Sequence, residues 1–173
     1  MIGPRGAVPL AAGVLALLAG CSTASSRIEN DTFYSPKGYS VVLPGPGWRV
    51  TPGGAADLEL TRDSPPGGML ADATCEGAPR ERPLLVLVRH LTFGLTSRAT
   101  IESDELPRGG RPAAHRVVHG EVDGARVGVE AIVVKGERCV HDFLYVAPLP
   151  AFDAGRPAFT AFVASLAPAA ERR

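Results

Sequence analysis

Net charge is missing from this sequence: 18 Lys and Arg face 18 Asp and Glu across 173 residues. A protein that lives on nucleic acid gathers a basic excess or stripe, and none is present, which argues against that partner. Lysine is almost absent, with Lys37 and Lys135 alone among the basic residues, and Ala, Gly, Pro and Arg are abundant instead, the mark of a GC-rich coding bias. Aromatic residues make up 6% of the chain, with a single tryptophan, Trp48. No apolar run reaches the roughly 20 residues that a membrane-spanning helix needs. The signature loops of catalysis are missing too. There is no Gly-x-Ser-x-Gly, no Walker loop and no His-Glu-x-x-His, and the Gly-Gly and Gly-Pro-Gly elements are interrupted by prolines that phosphate loops do not use. Nothing here points to an enzyme, and no cofactor or metal is expected.

What is present begins at the N-terminus. Arg5 is followed by an uncharged run from Gly6 to Gly20 containing Val8, Leu10, Val14, Leu15, Leu17 and Leu18. Its length, about 13 to 15 residues, suits the core of a signal peptide and is too short to span. It closes on Leu18-Ala19-Gly20-Cys21, which resembles the bacterial lipobox. That resemblance implies cleavage before Cys21, a diacylglycerol on its sulfur, and a further acyl chain, such as palmitate, on the new amino group. The alternatives are an ordinary secretory signal with a chance cysteine, or an N-terminal anchor helix. Each buried methylene contributes about 0.8 kcal/mol, and two or more chains anchor stably. Ser22 stands where aspartate would, by the same resemblance, favour the inner membrane, so the outer membrane is expected and the domain should face the periplasm. The expected layout is a signal peptide over 1–20, a tether over 21–30 rich in small polar residues, one domain over 31–168 and a tail over 169–173. Loss of the signal removes Arg5 alone among the charged side chains, leaving 18 − 1 = 17 basic against 18 acidic residues.

With Cys21 lipidated, Cys75 and Cys139 form an even pair in an oxidising compartment, which reads as a disulfide. The open alternatives are a zinc site completed by a histidine and a pair of free thiols. The close Cys-x-x-Cys spacing of structural zinc sites is absent.

Along the domain, Asp31 to Val50 reads as two short β-runs around Pro36-Lys37-Gly38, then a Pro-Gly-Pro-Gly breaker before Trp48, an expected core anchor. Leu58 and Leu60 alternate with Asp57, Glu59 and Thr61 as in a half-buried strand. A breaker at Ser64-Pro65-Pro66-Gly67-Gly68 precedes a second run, Met69 to Thr74. Leu84, Leu87, Val88, Leu91 and Leu95 share one helical stripe after Pro83, although the Leu-Leu-Val-Leu-Val run also suits a buried strand. His90 lies off that stripe and should face solvent. Phe159, Phe162, Val163 and Leu166 follow i, i+3, i+4, i+7, with Pro157 expected to open that helix and Pro168 to end it. Asp123-Gly124 is a strong two-residue hairpin signal. With Gly136-Glu137 it predicts a three-stranded meander over about 113–122, 125–135 and 138–147, in which Val118 pairs with Val129 and Glu121 with Arg126.

By parity, one face of the meander carries Ala114, Val118, Val127, Val129, Ala131, Val133, Val140, Leu144 and Val146. This is the expected core face, covered by both helices, with Arg116 and Asp142 as polar intruders. The opposite face carries His115, Val117, His119, Glu121, Arg126, Glu130, Ile132, Cys139, His141, Phe143 and Tyr145, and is expected to be a solvated or loop-covered surface. His115 and His119 stand about 13 Å apart along a strand, too far to share a metal ion. His115 and His141 approach across Ile132 to roughly 10 Å between backbones, with Glu130 nearby, which makes His115, His119, Glu130 and His141 a candidate polar-face site. The acidic trio Glu102, Asp104 and Glu105 beside Pro107 reads as a solvated loop edge.

The N-terminal hairpin with its Pro-x-x-Gly-Trp element, the Asp-Gly-linked meander and the final Phe-x-x-Phe-Val-x-x-Leu helix together resemble the Mog1/PsbP-like fold found in many bacterial lipoproteins. The likeness covers most of residues 31–168. Cys75-Glu76-Gly77 and Cys139-Val140-His141-Asp142-Phe143 also resemble paired elements in small proteobacterial lipoproteins without a defined activity. The resemblance implies an α+β fold, an antiparallel sheet of about six or seven strands with two main helices, and an adaptor, assembly or binding role. It transfers no catalytic residue. The expected function is a non-catalytic accessory or docking protein of a membrane-associated complex, anchored in the membrane and meeting an envelope protein partner. The alternative is a binder of a small apolar ligand or lipid, which requires a cavity of roughly 300 Å³ or more between helix and sheet.

Overall fold

The computed structural model describes residues 25–77 and 81–169. Cys21 and the whole lipobox lie outside these residues. The chain runs β1 (Arg27–Glu29), β2 (Thr32–Tyr34), β3 (Tyr39–Val42), β4 (Arg49–Val50), β5 (Leu58–Asp63), β6 (Pro66–Thr74), α1 (Leu84–His90), β7 (Thr96–Glu105), β8 (Ala113–Val122), β9 (Ala125–Lys135), β10 (Val140–Pro148), α2 (Phe152–Ala164) and β11 (Ala167–Pro168). Seven strands form one sheet in the order β4-β5-β6-β10-β9-β8-β7, and four form a smaller one, β1-β2-β3-β11. All the pairings are antiparallel.

Local turn chemistry sets the centre of the large sheet. Asp123 and Gly124 both take positive φ, 50° and 80°, as a type I′ turn demands. Val118 then faces Val129 and Glu121 faces Arg126, the register that a two-residue turn predicts. The β9–β10 connection closes with the Gly136 amide donating to the Cys139 carbonyl at 2.8 Å.

Four expectations need correction. β1 forms inside the stretch read as tether and pairs with β2, because Arg27, Ile28 and Glu29 gain a ladder partner that only the folded sheet supplies. The breaker before Met69 is narrower than its sequence suggests: Ser64 and Pro65 make the turn, and Pro66, Gly67 and Gly68 already pair with β5. Glu102, Asp104 and Glu105 lie on a strand, not a loop; β7 has two register shifts, so its alternation is broken and the period-2 signal disappears. Finally, α2 starts at Phe152 and carries Pro157 inside it. Pro157 forgoes one helical hydrogen bond in the second turn, and the buried aromatic stripe of Phe152, Phe159 and Phe162 outweighs that loss.

The largest correction concerns the core. The face expected to hold it is covered by α1 alone, where Val88 packs on Ala114, Ala131, Val133 and Val140. A small satellite of Leu95, Val118, Val127 and Val129 continues that layer. The main core lies on the opposite face, where Val117, Ile132, Phe143 and Tyr145 meet α2, and Phe33, Tyr39 and Val41 bring in the small sheet. The helices therefore sandwich the large sheet, and β9 is buried without interruption from Val127 to Val134. Alternation alone cannot rank two faces that both carry large apolar side chains, and the three histidines made the better-packed face look polar. Trp48 does anchor this core, edge-on to Tyr145 at 6.4 Å. Tyr145 stacks on Phe152 at 5.4 Å and donates its hydroxyl to the Phe152 carbonyl at 3.0 Å, which fixes the start of α2 against β10.

Candidate functional site

The conspicuous polar feature of the interior is built on β8 and β9 where α2 and the edge strand β7 meet them. His115 and Glu130 are only 6% and 4% exposed. The His115 Nε2 lies 2.8 Å from Glu130 Oε1, and its Nδ1 lies 3.3 Å from Asp104 Oδ2 on β7. Arg156, from α2, donates through Nε to Glu130 Oε2 at 2.9 Å and through Nη2 to Glu102 Oε1 at 3.1 Å. Burial by itself would push the Glu130 carboxyl up. The hydrogen bonds from His115 and Arg156, with the charge of Arg156, outweigh burial and hold it below the usual range. The hydrogen bond to Glu130 raises the His115 imidazole; burial opposes this, and Asp104 adds to it. In its imidazolium form, His115 donates from both nitrogens to carboxylates on two different strands.

Of the four polar-face candidates, the fold brings together His115 and Glu130. His119 turns its ring edge to Phe152 at 5.9 Å, outside the cluster. His141 lies toward the small sheet, edge-on to Tyr39 at 5.0 Å. Arg156 was missed because a helix opening at Pro157 leaves it outside. In a helix opening at Phe152, Arg156 falls at i+4 beside the buried positions Phe152, Gly155 and Phe159, a charge on an apolar stripe that calls for a buried partner. The two intruders on the α1 face also find places. Arg116 donates to Thr100 Oγ1 at 2.6 Å, and Asp142 stands opposite Asp72 of β6.

A second hub, Asp57, joins the two sheets. Its carboxylate accepts from the Tyr39 hydroxyl at 3.0 Å and the Ala73 amide at 3.1 Å, and pairs with Lys37 at 2.7 Å. Lys37 also reaches Asp72 at 2.9 Å. Burial would lower the Lys37 ammonium, but the two carboxylates outweigh it and raise it. Cys75 and Cys139 are joined as a disulfide, 64 positions apart. Among the described residues no group of three or more His, Cys, Asp or Glu has the arrangement of a metal site. No helix among them is long and apolar enough to cross a membrane.

Chemically, the His115 cluster can hold a proton and bind β7 and α2 to the meander. It contains no hydroxyl or thiol nucleophile, and each basic group in it is taken up by a carboxylate within it. The clefts beside β11 and along α1 include none of its members.

No protein-family model matches the sequence, and no curated protein matches it. Solved structures do. The cyanobacterial PsbP of Synechocystis, CyanoP, aligns at 13% identity with a TM-score of 0.54, over 90% of this chain and 99% of that one. LpqN of Mycobacterium tuberculosis, a protein involved in cell envelope biogenesis, aligns at 14% identity and a TM-score of 0.55, over 84% and 90% of the two chains. A protein of Bacteroides thetaiotaomicron aligns at 10% identity and a TM-score of 0.58 over 86% of this chain, which spans only 50% of that protein. At such identities the likeness concerns the fold alone: this is an α+β protein whose fold is similar to those of CyanoP and LpqN.

Proposed function

We propose that this protein is an envelope lipoprotein, anchored through acyl chains on Cys21 at the periplasmic face of the outer membrane, whose domain docks on a protein partner without catalysing a reaction. The observation that carries the non-catalytic reading is the closure of the interior polar network. Glu102, Asp104, His115, Glu130 and Arg156 are tied to one another, with Asp104 Oδ1 the one buried side-chain atom of the group without a partner among the described residues, and both basic groups are engaged by carboxylates. Beneath α2 the space an apolar ligand needs is filled by Phe159 and Phe162, which argues against such a binder there. The second reading, a binder of a small apolar ligand, rests on the cleft of about 330 Å³ along α1, where Leu87, Leu91 and Val140 are joined by Arg82, His90 and Asp142. The lipobox motif supports the anchor, and the fold shared with LpqN supports a place in the envelope.

The test is mass spectrometry of the lipoprotein purified gently from its own membrane, recording co-purified proteins and extracted lipid together, beside a Cys21→Ser control. A stoichiometric protein partner, lost when the unanchored control is diluted into the periplasm, is the expected result. A stoichiometric lipid retained by that control, with no protein partner, would make the molecule a carrier instead.

A further inference from the structure

Where the β2–β3 turn, β11 and the β9–β10 turn converge, a cleft of about 200 Å³ opens on the seam between the two sheets. Its charged and titratable lining is predominantly basic: Lys37, Arg111, Arg138 and His141, with Glu137 as the one carboxylate. Lys37 is already neutralised by Asp57 and Asp72. Arg111 spends one N–H on the Leu166 carbonyl at 3.2 Å, out of the five that a guanidinium offers. Arg138 makes no ion pair or hydrogen bond with the described residues, and its Nη2 lies over Gly38, where a Cβ would come within 2.9 Å. Gly38 has φ of 85°, so glycine is required there for the turn as well.

At the base of this basic rim lies His141, 8% exposed, with its Nδ1 sealed and without a partner among the described residues. The sealed nitrogen is out of a ligand's reach; the ring atom of His141 that a ligand in the cleft would meet is Nε2. Its Nε2 is kept reachable by the absence of a side chain at Gly136, where a Cβ would stand 3.1 Å away. Burial, and then the charge of Arg111, pushes the imidazole down to about 4, so at neutral pH it is an uncharged ring beside the Arg111 guanidinium.

We propose that this seam binds the oxyanion of a phosphate group, gripped by the Arg111 and Arg138 guanidiniums with His141 as a neutral hydrogen-bond donor at the base. Guanidinium forks match phosphate oxygens in pairs, and two forks from different loops can close on different oxygens of one tetrahedral group. The same chemistry is offered by a soluble phosphate ester and by the headgroup of an anionic phospholipid, and the measurement separates them.

The full chain, purified from membranes into phosphatidylcholine bicelles, is followed by NMR at the His141 ring while glycerol 3-phosphate is added at constant ionic strength. In a parallel arm phosphatidylglycerol is mixed into the bicelles instead. The expected result is a saturable His141 shift and a rise in its pKa, with affinity weakened about tenfold or more in Arg138→Gln. Arg138 is exposed, so that variant keeps its fold. A response to the ester identifies a soluble ligand site; a response only to phosphatidylglycerol identifies a headgroup site. The proposal is overturned if neither addition moves His141 by about 10 mM ligand, a concentration weaker than any specific site of this kind. It is equally overturned if the shift persists unchanged in both Arg138→Gln and Arg111→Gln.

Discussion

Asp142 faces Asp72 across the β6–β10 ladder, and Lys37 beside that ladder pairs with Asp72 and Asp57. Burial, and then the Asp72 charge, pushes the Asp142 carboxyl up to about 6 from its ordinary 3.8. An acid whose folded pKa is raised favours the fold while protonated. That contribution is whole below about pH 4 and is lost as pH rises through about 6. Asp142→Asn should therefore stabilise the protein at about pH 8 by on the order of 1–2 kcal/mol, allowing for solvent screening of a half-buried group. Urea midpoints at two pH values check this, since an equal gain at about pH 4 would place its cause elsewhere. Arg156→Ala acts in the opposite direction. It strips Glu130, 4% exposed, of its guanidinium and should cost about 3 kcal/mol. The wild-type Glu130 carboxyl is held low, so its contribution is present above the ordinary carboxylate pKa and lost as pH falls through the depressed value. The penalty of the variant should accordingly shrink in acid, which the same titration would reveal.

At the level of elements, α2 is seated by contacts that leave no room for change. Phe152 covers Gly128 of β9, and the Tyr145 hydroxyl covers Gly155, so a Cβ at either glycine would enter the facing ring. Gly128→Ala should cost about 2 kcal/mol by overpacking. In a double-mutant cycle with Phe152→Leu the two losses should fall short of their sum, because the smaller side chain relieves the clash; strict additivity would mean that the two residues do not meet. The elements also show how far local sequence reaches. The Asp123-Gly124 hairpin was legible to the residue, since two adjacent positions dictate its geometry. The α1 stripe was legible as well, although the helix itself ends at His90 and Leu95 joins the core from beyond it. The start of α2 was not legible: Pro157 is a local helix-start signal, and only packing of Phe152 on Tyr145 and Gly128 extends the helix before it.

For the molecule as a whole, the Cys75–Cys139 link ties the end of β6 to the entry of β10, enclosing α1, β7, β8 and β9 in one loop. Closing a loop of 64 positions removes unfolded-state entropy amounting to about 4 kcal/mol in the chain-entropy model. Reduction, or Cys75→Ser with Cys139→Ser, should lower the urea midpoint correspondingly. An unchanged midpoint would mean that the unfolded chain is already compact without the bond. The sequence alone determined the cysteine pair, the central hairpin and its register, the mixed α+β character and the absence of a catalytic motif, because each depends on residue identity or on neighbours a few positions apart. Only the tertiary structure decided that the histidine-bearing face is the main core, that a second sheet of four strands exists, and that Arg156 meets Glu130. The two-residue strands β4 and β11 have no signal of their own, and Arg156 and Glu130 lie on different elements. Such contacts form only when distant segments are brought together, and the burial gained across the whole fold, not any local preference, selects which face turns inward.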